Sequence, residues 1–243
     1  MANAAHPKTL VVIPALNEED SLSHVVQTIR GSLPWADIVV VNDGSVDHTR
    51  EVAEAAAVVV LSLPYNVGIG ASVQTGFIYA AERGYEVVVR SDGDGQHDPR
   101  DMCRLIETLM QTDADMVIGT RFVENQGYGA TLPRRVGILI LANLISAITG
   151  QRITDPTSGL AAFNQQAIKL FSHVYPHDYP EPEALVVAYR AGLRVREIPA
   201  TMKPRFAGRS SITSLRSIYY MLKVTLAILI GLLRPAALVD SET

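Results

Sequence analysis

Twice in this chain a run of β-branched residues passes without a break into acidic ones: Ile38-Val39-Val40-Val41-Asn42-Asp43 and Val87-Val88-Val89-Arg90-Ser91-Asp92-Gly93-Asp94. Uninterrupted runs of this kind read as strands buried on both faces, the kind found in parallel sheets covered by helices. The second run continues as Gly95-Gln96-His97-Asp98-Pro99. There Asp98 reads as an N-cap and Pro99 as the first position of a helix carrying Met102, Leu105, Ile106 and Leu109. The acids therefore sit on a loop between strand and helix. Carboxylates this close repel one another unless a hard cation shares them, and Mg²⁺ accepts one or two carboxylates together with phosphate oxygens. Taken alone, Asp-Gly-Asp-Gly also reads as a plain acidic turn.

The rest of the chain repeats the alternation. Thr9 to Pro14 is a strand, and Asn17-Glu18-Glu19-Asp20 leads into a helix with Leu22, Val25, Val26 and Ile29 on one face. Asp37 to Asp43 follows as the second strand, and Asp47 is placed to cap a helix carrying Val52, Ala53 and Ala56. Val58 to Leu63, the acidic strand, and Asp115 to Arg121 complete five strands, with a helix near Ser72 to Arg83 before the fourth. Strands alternating with helices predict an α/β fold with a doubly wound parallel sheet, in which ligands bind beyond the carboxyl ends of the strands. Asp43, Asp92 and Asp94 all fall at such ends. Acids converging on one edge call for a shared cation or a hydroxyl-rich ligand.

Asn66-Val67-Gly68-Ile69-Gly70-Ala71-Ser72-Val73 imitates a dinucleotide fingerprint, but Val73 stands where a small residue belongs, and the segment follows the third strand rather than the first. Its glycines instead suit a loop whose backbone passes close to a nucleotide.

With 243 residues, 48% of them hydrophobic and 19% charged, the chain suffices for one large α/β domain with an appendage. A net charge of −4 argues against nucleic-acid binding, since there is no basic excess to displace counterions. The single cysteine, Cys103, excludes an internal disulfide or a cysteine metal site and points to a reducing compartment. Met1 to Pro7 lacks the basic start and long apolar run of a secretory signal, so a cytoplasmic location is expected.

Four segments in this order, Val12-Ile13-Pro14-Ala15-Leu16-Asn17-Glu18-Glu19, Val41-Asn42-Asp43-Gly44-Ser45, Asn66-Val67-Gly68-Ile69-Gly70 and Asp92-Gly93-Asp94-Gly95-Gln96-His97, resemble glycosyltransferase family 2. The branch they resemble is that of dolichyl-phosphate mannose synthase and bacterial polyprenyl-phosphate hexose synthases, over roughly Leu10 to Arg234. The resemblance implies a GT-A fold, a doubly wound, mostly parallel sheet with helices on both faces. It also implies a nucleotide-sugar donor, UDP- or GDP-linked, a divalent cation, Mg²⁺ or Mn²⁺, and inversion at the anomeric carbon. By resemblance, Pro14, Leu16, Glu18, Asp43, Gly70, Asp92 and Gly93 contact the donor, and Asp92, Asp94 and Gln96 hold the metal. Asp94, Arg121, Asp155 and Arg205 would be catalytic, with Arg121, Arg134 and Arg135 on the acceptor phosphate. His97 reads equally as a cap of the following helix or as a site residue. Arg205-Phe206-Ala207-Gly208-Arg209-Ser210-Ser211-Ile212 resembles a mobile loop that closes its first arginine over the donor diphosphate, and Asp155 to Phe163 an acidic motif before a strand near the acceptor; a capped turn before a core strand is the alternative for the latter.

Tyr179-Pro180-Glu181-Pro182-Glu183-Ala184 departs from the paired acids that many members use to deprotonate a sugar hydroxyl. Glu181 and Glu183 are equally explained as acids opening a helix. The expected domains are a catalytic domain over 8–212, a C-terminal amphipathic helix over 213–234 and a polar tail over 235–243. Val136 to Ile148 and Val224 to Leu233 are uncharged and shorter than the ~20 residues needed to span a bilayer. Basic neighbours (Arg134, Arg135, Arg216, Lys223, Arg234) suit helices lying in a headgroup layer at the inner face of a membrane. Packing on the core, on a second copy or on a membrane-protein partner is the alternative. Together these features predict hexose transfer to a polyprenyl phosphate. The rivals are transfer to a glycan hydroxyl, with Asp155, Glu181 or Glu183 as base, and a non-catalytic nucleotide-sugar-binding scaffold.

Overall fold

The computed structural model describes residues 6–122, 132–203 and 214–232, with side chains described over 6–122, 135–203 and 223–232. Seven strands form one sheet: β1 (Thr9–Ala15), β2 (Asp37–Asn42), β3 (Val59–Ser62), β4 (Val87–Arg90), β5 (Met116–Thr120), β6 (Ala161–Asn164) and β7 (Val195–Pro199). Their spatial order is β3-β2-β1-β4-β6-β5-β7. Only β6 runs against its neighbours, pairing antiparallel with both β4 (Arg90 opposite Ala161) and β5 (Ile118 opposite Ala161). The sheet is thus mostly parallel, as the alternation predicts, with one reversed strand at its centre.

Helices cover both faces. Val11, Ile13, Val40, Val87, Val89 and Val117 point to one side, against α1 (Leu22–Ser32), α2 (Thr49–Ala55) and α4 (Pro99–Gln111). Val12, Val39, Val41, Val88, Met116 and Phe163 point to the other, against α3 (Ile69–Glu82), α5 (Leu132–Thr149), α6 (Gln165–His173), α7 (Pro180–Arg190) and α8 (Ser214–Leu232). With both faces buried, each central strand needs apolar side chains at every position, which is why the strands appear in the sequence as unbroken runs. In α1 the buried residues Leu22, Val25, Val26 and Ile29 follow the 3.6-residue period. Asp98 caps α4 by accepting from the Arg100 backbone N–H at 3.0 Å, and Pro99 opens that helix. The bonds from Arg100, joined by those from Lys203, hold the Asp98 carboxyl well below the usual carboxylate range even though it is buried.

Strand order reverses between β1 and β4, so the crevice beyond their carboxyl ends is where this topology places a ligand. The N-terminal approach to β6, Ser158 to Leu160, lies at that same edge because β6 runs the other way. Helices α5 and α8 pack against each other and on α7. Each buries one face, Ile138, Leu141 and Ile145 in α5 and Val224 and Ile228 in α8, and leaves apolar residues outside.

Candidate active site

The acidic loop is built by the abrupt end of β4. Ser91 donates its backbone N–H to Val12 as the last sheet contact, and the chain then turns through Asp92 to His97 before α4 begins. Asp94 stabilises the turn by accepting from the Gln96 backbone N–H at 3.0 Å. Gln96 is gripped at both ends: its carbonyl accepts from the Lys203 backbone N–H at 2.8 Å, and its side-chain amide donates to the Lys203 carbonyl at 3.2 Å. Lys203 also reaches the Asp98 carboxylate at 3.1 Å. Residues after β7 therefore form a strap across the acidic loop, completed by an isolated bridge between His97 and Met202.

A pocket of about 130 Å³ opens here, with Asp92, Asp94, Gln96 and His97 on one wall and Arg121, Thr157, Ser158 and Gly159 on the other. His97 is buried beneath it, with Nδ1 accepting from the Asp92 backbone N–H at 3.3 Å and Nε2 3.9 Å from the Asp92 carboxylate. Burial pushes its imidazole below the ordinary value, against the pull of Asp92 and Asp94. His97 is therefore a pocket wall rather than a helix cap; Asp98 holds that position.

Arg121 does not extend its fork into open space. Its Nε and Nη2 donate to the two oxygens of Asp155 at 2.6 Å each, and Nη2 also donates to Thr157 at 2.7 Å. Asp155 has no exposed surface at all and is fixed further through Glu197, which accepts from the Thr154 and Asp155 backbone N–H groups. Burial raises the Glu197 carboxyl above its ordinary range, partly offset by those hydrogen bonds. The fork of Arg121 is thus held by Asp155 and Thr157, and Arg121 lines the pocket with Nη1 3.8 Å from the Met202 sulfur. The same pairing corrects the reading of Asp155 as a base able to reach an acceptor hydroxyl.

The donor-side residues lie on neighbouring strand ends. Pro14 is buried, Leu16 is exposed, and Glu18 accepts from the Ser21 hydroxyl at 2.8 Å. Gly93 stands beside Glu18; a Cβ on Gly93 would meet the Glu18 side chain at an ordinary 3.5 Å. Asp43 accepts from the backbone N–H groups of Val67 (2.8 Å) and Gly68 (3.1 Å), so it pins the glycine loop ahead of α3. The Gly70 Cα faces the Pro176 and His177 backbone, where a Cβ would clash with the Pro176 carbonyl oxygen, so a glycine is required there for close packing of α3 on the connection between α6 and α7.

Glu181 also departs from expectation. It opens α7, yet its carboxylate accepts from Arg90 Nη2 at 2.5 Å in a buried pair. Glu183 is half-buried one position beyond Pro182. Arg135 is exposed in the first turn of α5, whereas the Arg134 side chain, Arg205 and the loop to Ile212 lie outside the described residues. The sequence reading missed Arg90, which looks like an ordinary strand residue, and Gly159. A Cβ at Gly159 would sit 2.5 Å from an Asp92 oxygen, so glycine there makes room for the carboxylate. Among the described residues no three acidic, histidine or cysteine side chains form a ready-made cation cage.

Residues 10–171 match the family described as Glycosyl transferase family 2. The chain is 30% identical over 216 residues to the polyprenol monophosphomannose synthase of Mycolicibacterium smegmatis, covering 85% of this chain and 81% of that one. It is likewise 30% identical over 209 residues to the UDP-N-acetylglucosamine–dolichyl-phosphate N-acetylglucosaminyltransferase of Methanococcus voltae, covering 78% and 83%. Among solved structures, glucosyl-3-phosphoglycerate synthase from Mycobacterium tuberculosis, in complex with Mn²⁺, UDP-glucose and glycerol 3-phosphate, superposes with a TM-score of 0.70 at 20% identity. That superposition covers 97% of this chain and 82% of the other, and it shows a shared fold.

The Arg121–Asp155 pair carries a stability consequence. Asp155→Asn leaves a buried guanidinium without its counter-charge and should cost about 3–5 kcal/mol, whereas Arg100→Ala, which removes an exposed partner, should leave stability nearly unchanged. Urea denaturation of the two variants measures the difference. Equal, small losses would show that the buried pair is not holding this wall of the site.

Proposed function

Because the chain belongs to glycosyl transferase family 2, we propose that it moves a hexose from a UDP- or GDP-linked sugar to a polyprenyl phosphate at a membrane surface, inverting the anomeric centre. The observation that carries the reading is the pocket at the sheet reversal, which sets Asp92 and Asp94 opposite Arg121. Relatives named for polyprenol and dolichyl phosphate transfer support the acceptor class.

The donor set fits a hard divalent cation. Asp92, Asp94 and the Gln96 amide oxygen would hold Mg²⁺ or Mn²⁺, and with fewer than three acids converging, the remaining positions fall to phosphate and water oxygens. When bound, the cation neutralises charge on the departing diphosphate. Pro14, Leu16, Glu18 and Asp43, on the adjacent strand ends, would bind the nucleoside, and Gly93 would let the loop approach it.

In the reaction the acceptor phosphate oxygen forms the new bond to the anomeric carbon on the face opposite the breaking bond to the diphosphate, which leaves with the electron pair. A phosphate monoester has its second pKa near ~6, so the nucleophile is already ionised at neutral pH and needs no base. This agrees with the geometry, because two of the three carboxylates considered as bases are committed to guanidiniums: Asp155 to Arg121 and Glu181 to Arg90. What the reaction needs is orientation. Arg121, immobilised by Asp155, and Arg135 would hold the acceptor phosphate, with Arg134 assigned the same duty and Arg205 the donor diphosphate on sequence grounds.

Membrane attachment is proposed through the outward faces of α5 and α8. Leu139 is 62% exposed and Leu226 58%, joined by Val136, Ile140, Leu229 and Ile230, with Arg135 and Lys223 near them. No helix among the described residues is long and apolar enough to cross a bilayer. Apolar area flanked by basic residues suits a helix lying in the headgroup layer.

A short-chain polyprenyl phosphate in detergent, offered with UDP- and GDP-hexoses and Mn²⁺, should yield lipid-linked sugar, and Asp94→Asn should abolish it without lowering the melting temperature. Transfer to a soluble saccharide alone would favour the glycan-hydroxyl reading. Flotation with anionic liposomes tests attachment: Leu139→Ser with Leu229→Ser should release the protein. Unchanged flotation would assign these faces to a second copy or a protein partner.

A further inference from the structure

Arg90 is the last residue of β4 and lies directly under the acidic loop. Its side chain is 4% exposed, and three groups surround it: Glu181 at 2.5 Å, the Tyr175 hydroxyl at 3.4 Å and Asp92 at 3.7 Å. Its Nε is buried with no hydrogen-bond partner, so the guanidinium is turned to place its charge between two carboxylates at the expense of one donor. Burial works against that charge, and the carboxylates of Glu181 and Asp92 offset it. Burial also pushes the Tyr175 phenol up to about 12, so at neutral pH it is an uncharged neighbour.

The asymmetry of the two carboxylate distances is informative. At 2.5 Å Glu181 is in direct contact with Nη2, whereas Asp92 at 3.7 Å is beyond a hydrogen bond and keeps part of its side chain exposed toward the pocket. A guanidinium beside a cation-binding carboxylate competes with the cation for it. We propose that Glu181 is a positioning residue for the donor site: by drawing Arg90 toward α7 it keeps that charge from closing on Asp92, which leaves the Asp92 carboxylate available to a divalent cation. The inference rests on the reading above in which Asp92 helps hold the cation. It gives Glu181 a duty distinct from opening a helix or removing a proton, and it accounts for an acid whose partner is a strand residue 91 positions away.

The test is Mn²⁺ binding by the full chain in the presence of UDP, read as the loss of the free-ion signal in electron paramagnetic resonance. Glu181→Gln, nearly isosteric, frees Arg90 to pair with Asp92 and should weaken Mn²⁺ binding by roughly tenfold or more. Arg90→Gln removes the competitor and should bind Mn²⁺ at least as tightly as the wild type while lowering the melting temperature. The double variant, which leaves no buried charge unpaired, should return close to wild-type affinity and keeps the test open if Arg90→Gln alone does not fold. A merely structural pair would instead lower stability in each single variant and leave Mn²⁺ affinity unchanged. Wild-type affinity in Glu181→Gln, or weakened affinity that the double variant does not restore, would overturn the inference alone. Failure of the wild type to bind Mn²⁺ with UDP would overturn the donor-site reading and the inference with it.

Discussion

Carboxylates gathered at one edge of a parallel sheet repel each other, and how their charge is answered organises this molecule. Asp155 is answered by Arg121 and Glu181 by Arg90, both in buried pairs. Neither arginine gives its closest contact to Asp92, which keeps one side on the pocket. The paired acids set the walls, and the loop acids face the space between. Around that arrangement the fold supplies rigidity: β4 ends where the loop must begin, Asp98 caps α4 where it must stop, and the strap through Lys203 fixes the far side.

The distribution of pairs also bears on chemistry. A side chain that must take a proton from a sugar hydroxyl has to reach it, and one that is fully buried with both oxygens held by a guanidinium does not. Asp155 is in that position. An acceptor that arrives already ionised removes the need for such a base, and its charge gives Arg121 and Arg135 something to orient. The phosphate acceptor proposed above is a nucleophile of that kind.

Much of the fold was legible in the sequence, because strands buried on both faces leave no room for polar residues; β1, β2, β4 and β5 appear as apolar runs for that reason, and the edge strand β3 shows through its β-branched residues. β7 was not, since Val195-Arg196-Glu197-Ile198-Pro199 lies at the sheet edge and its apolar pattern is broken by the adjacent charges of Arg196 and Glu197. The reversal of β6 was also hidden: the apolar Ala161, Ala162 and Phe163 state burial but not direction. In the site, the acids themselves were plain, as was the Asp98 cap. Their partners were not. Arg121 with Asp155, and Arg90 with Glu181, are 34 and 91 residues apart, and only the strand order brings them together. The packing duty of Gly70 was hidden because a glycine needed for close backbone packing looks in sequence like one needed for a ligand. The uncharged helices were ambiguous because both readings hold in part: α5 and α8 each give one face to the core and leave another apolar face outside.

The central claim is that Asp92 and Asp94 form the cation-bearing half of a nucleotide site at the sheet reversal. A crystal of the full chain grown with Mn²⁺ and UDP tests it most directly, through the anomalous signal of manganese. The account predicts one strong peak in the pocket between the Asp92–Asp94 loop and Gly159, bridged to the diphosphate, with the nucleoside running toward Asp43. Bound UDP with no manganese at that loop, or a manganese peak held elsewhere on the chain, would contradict it.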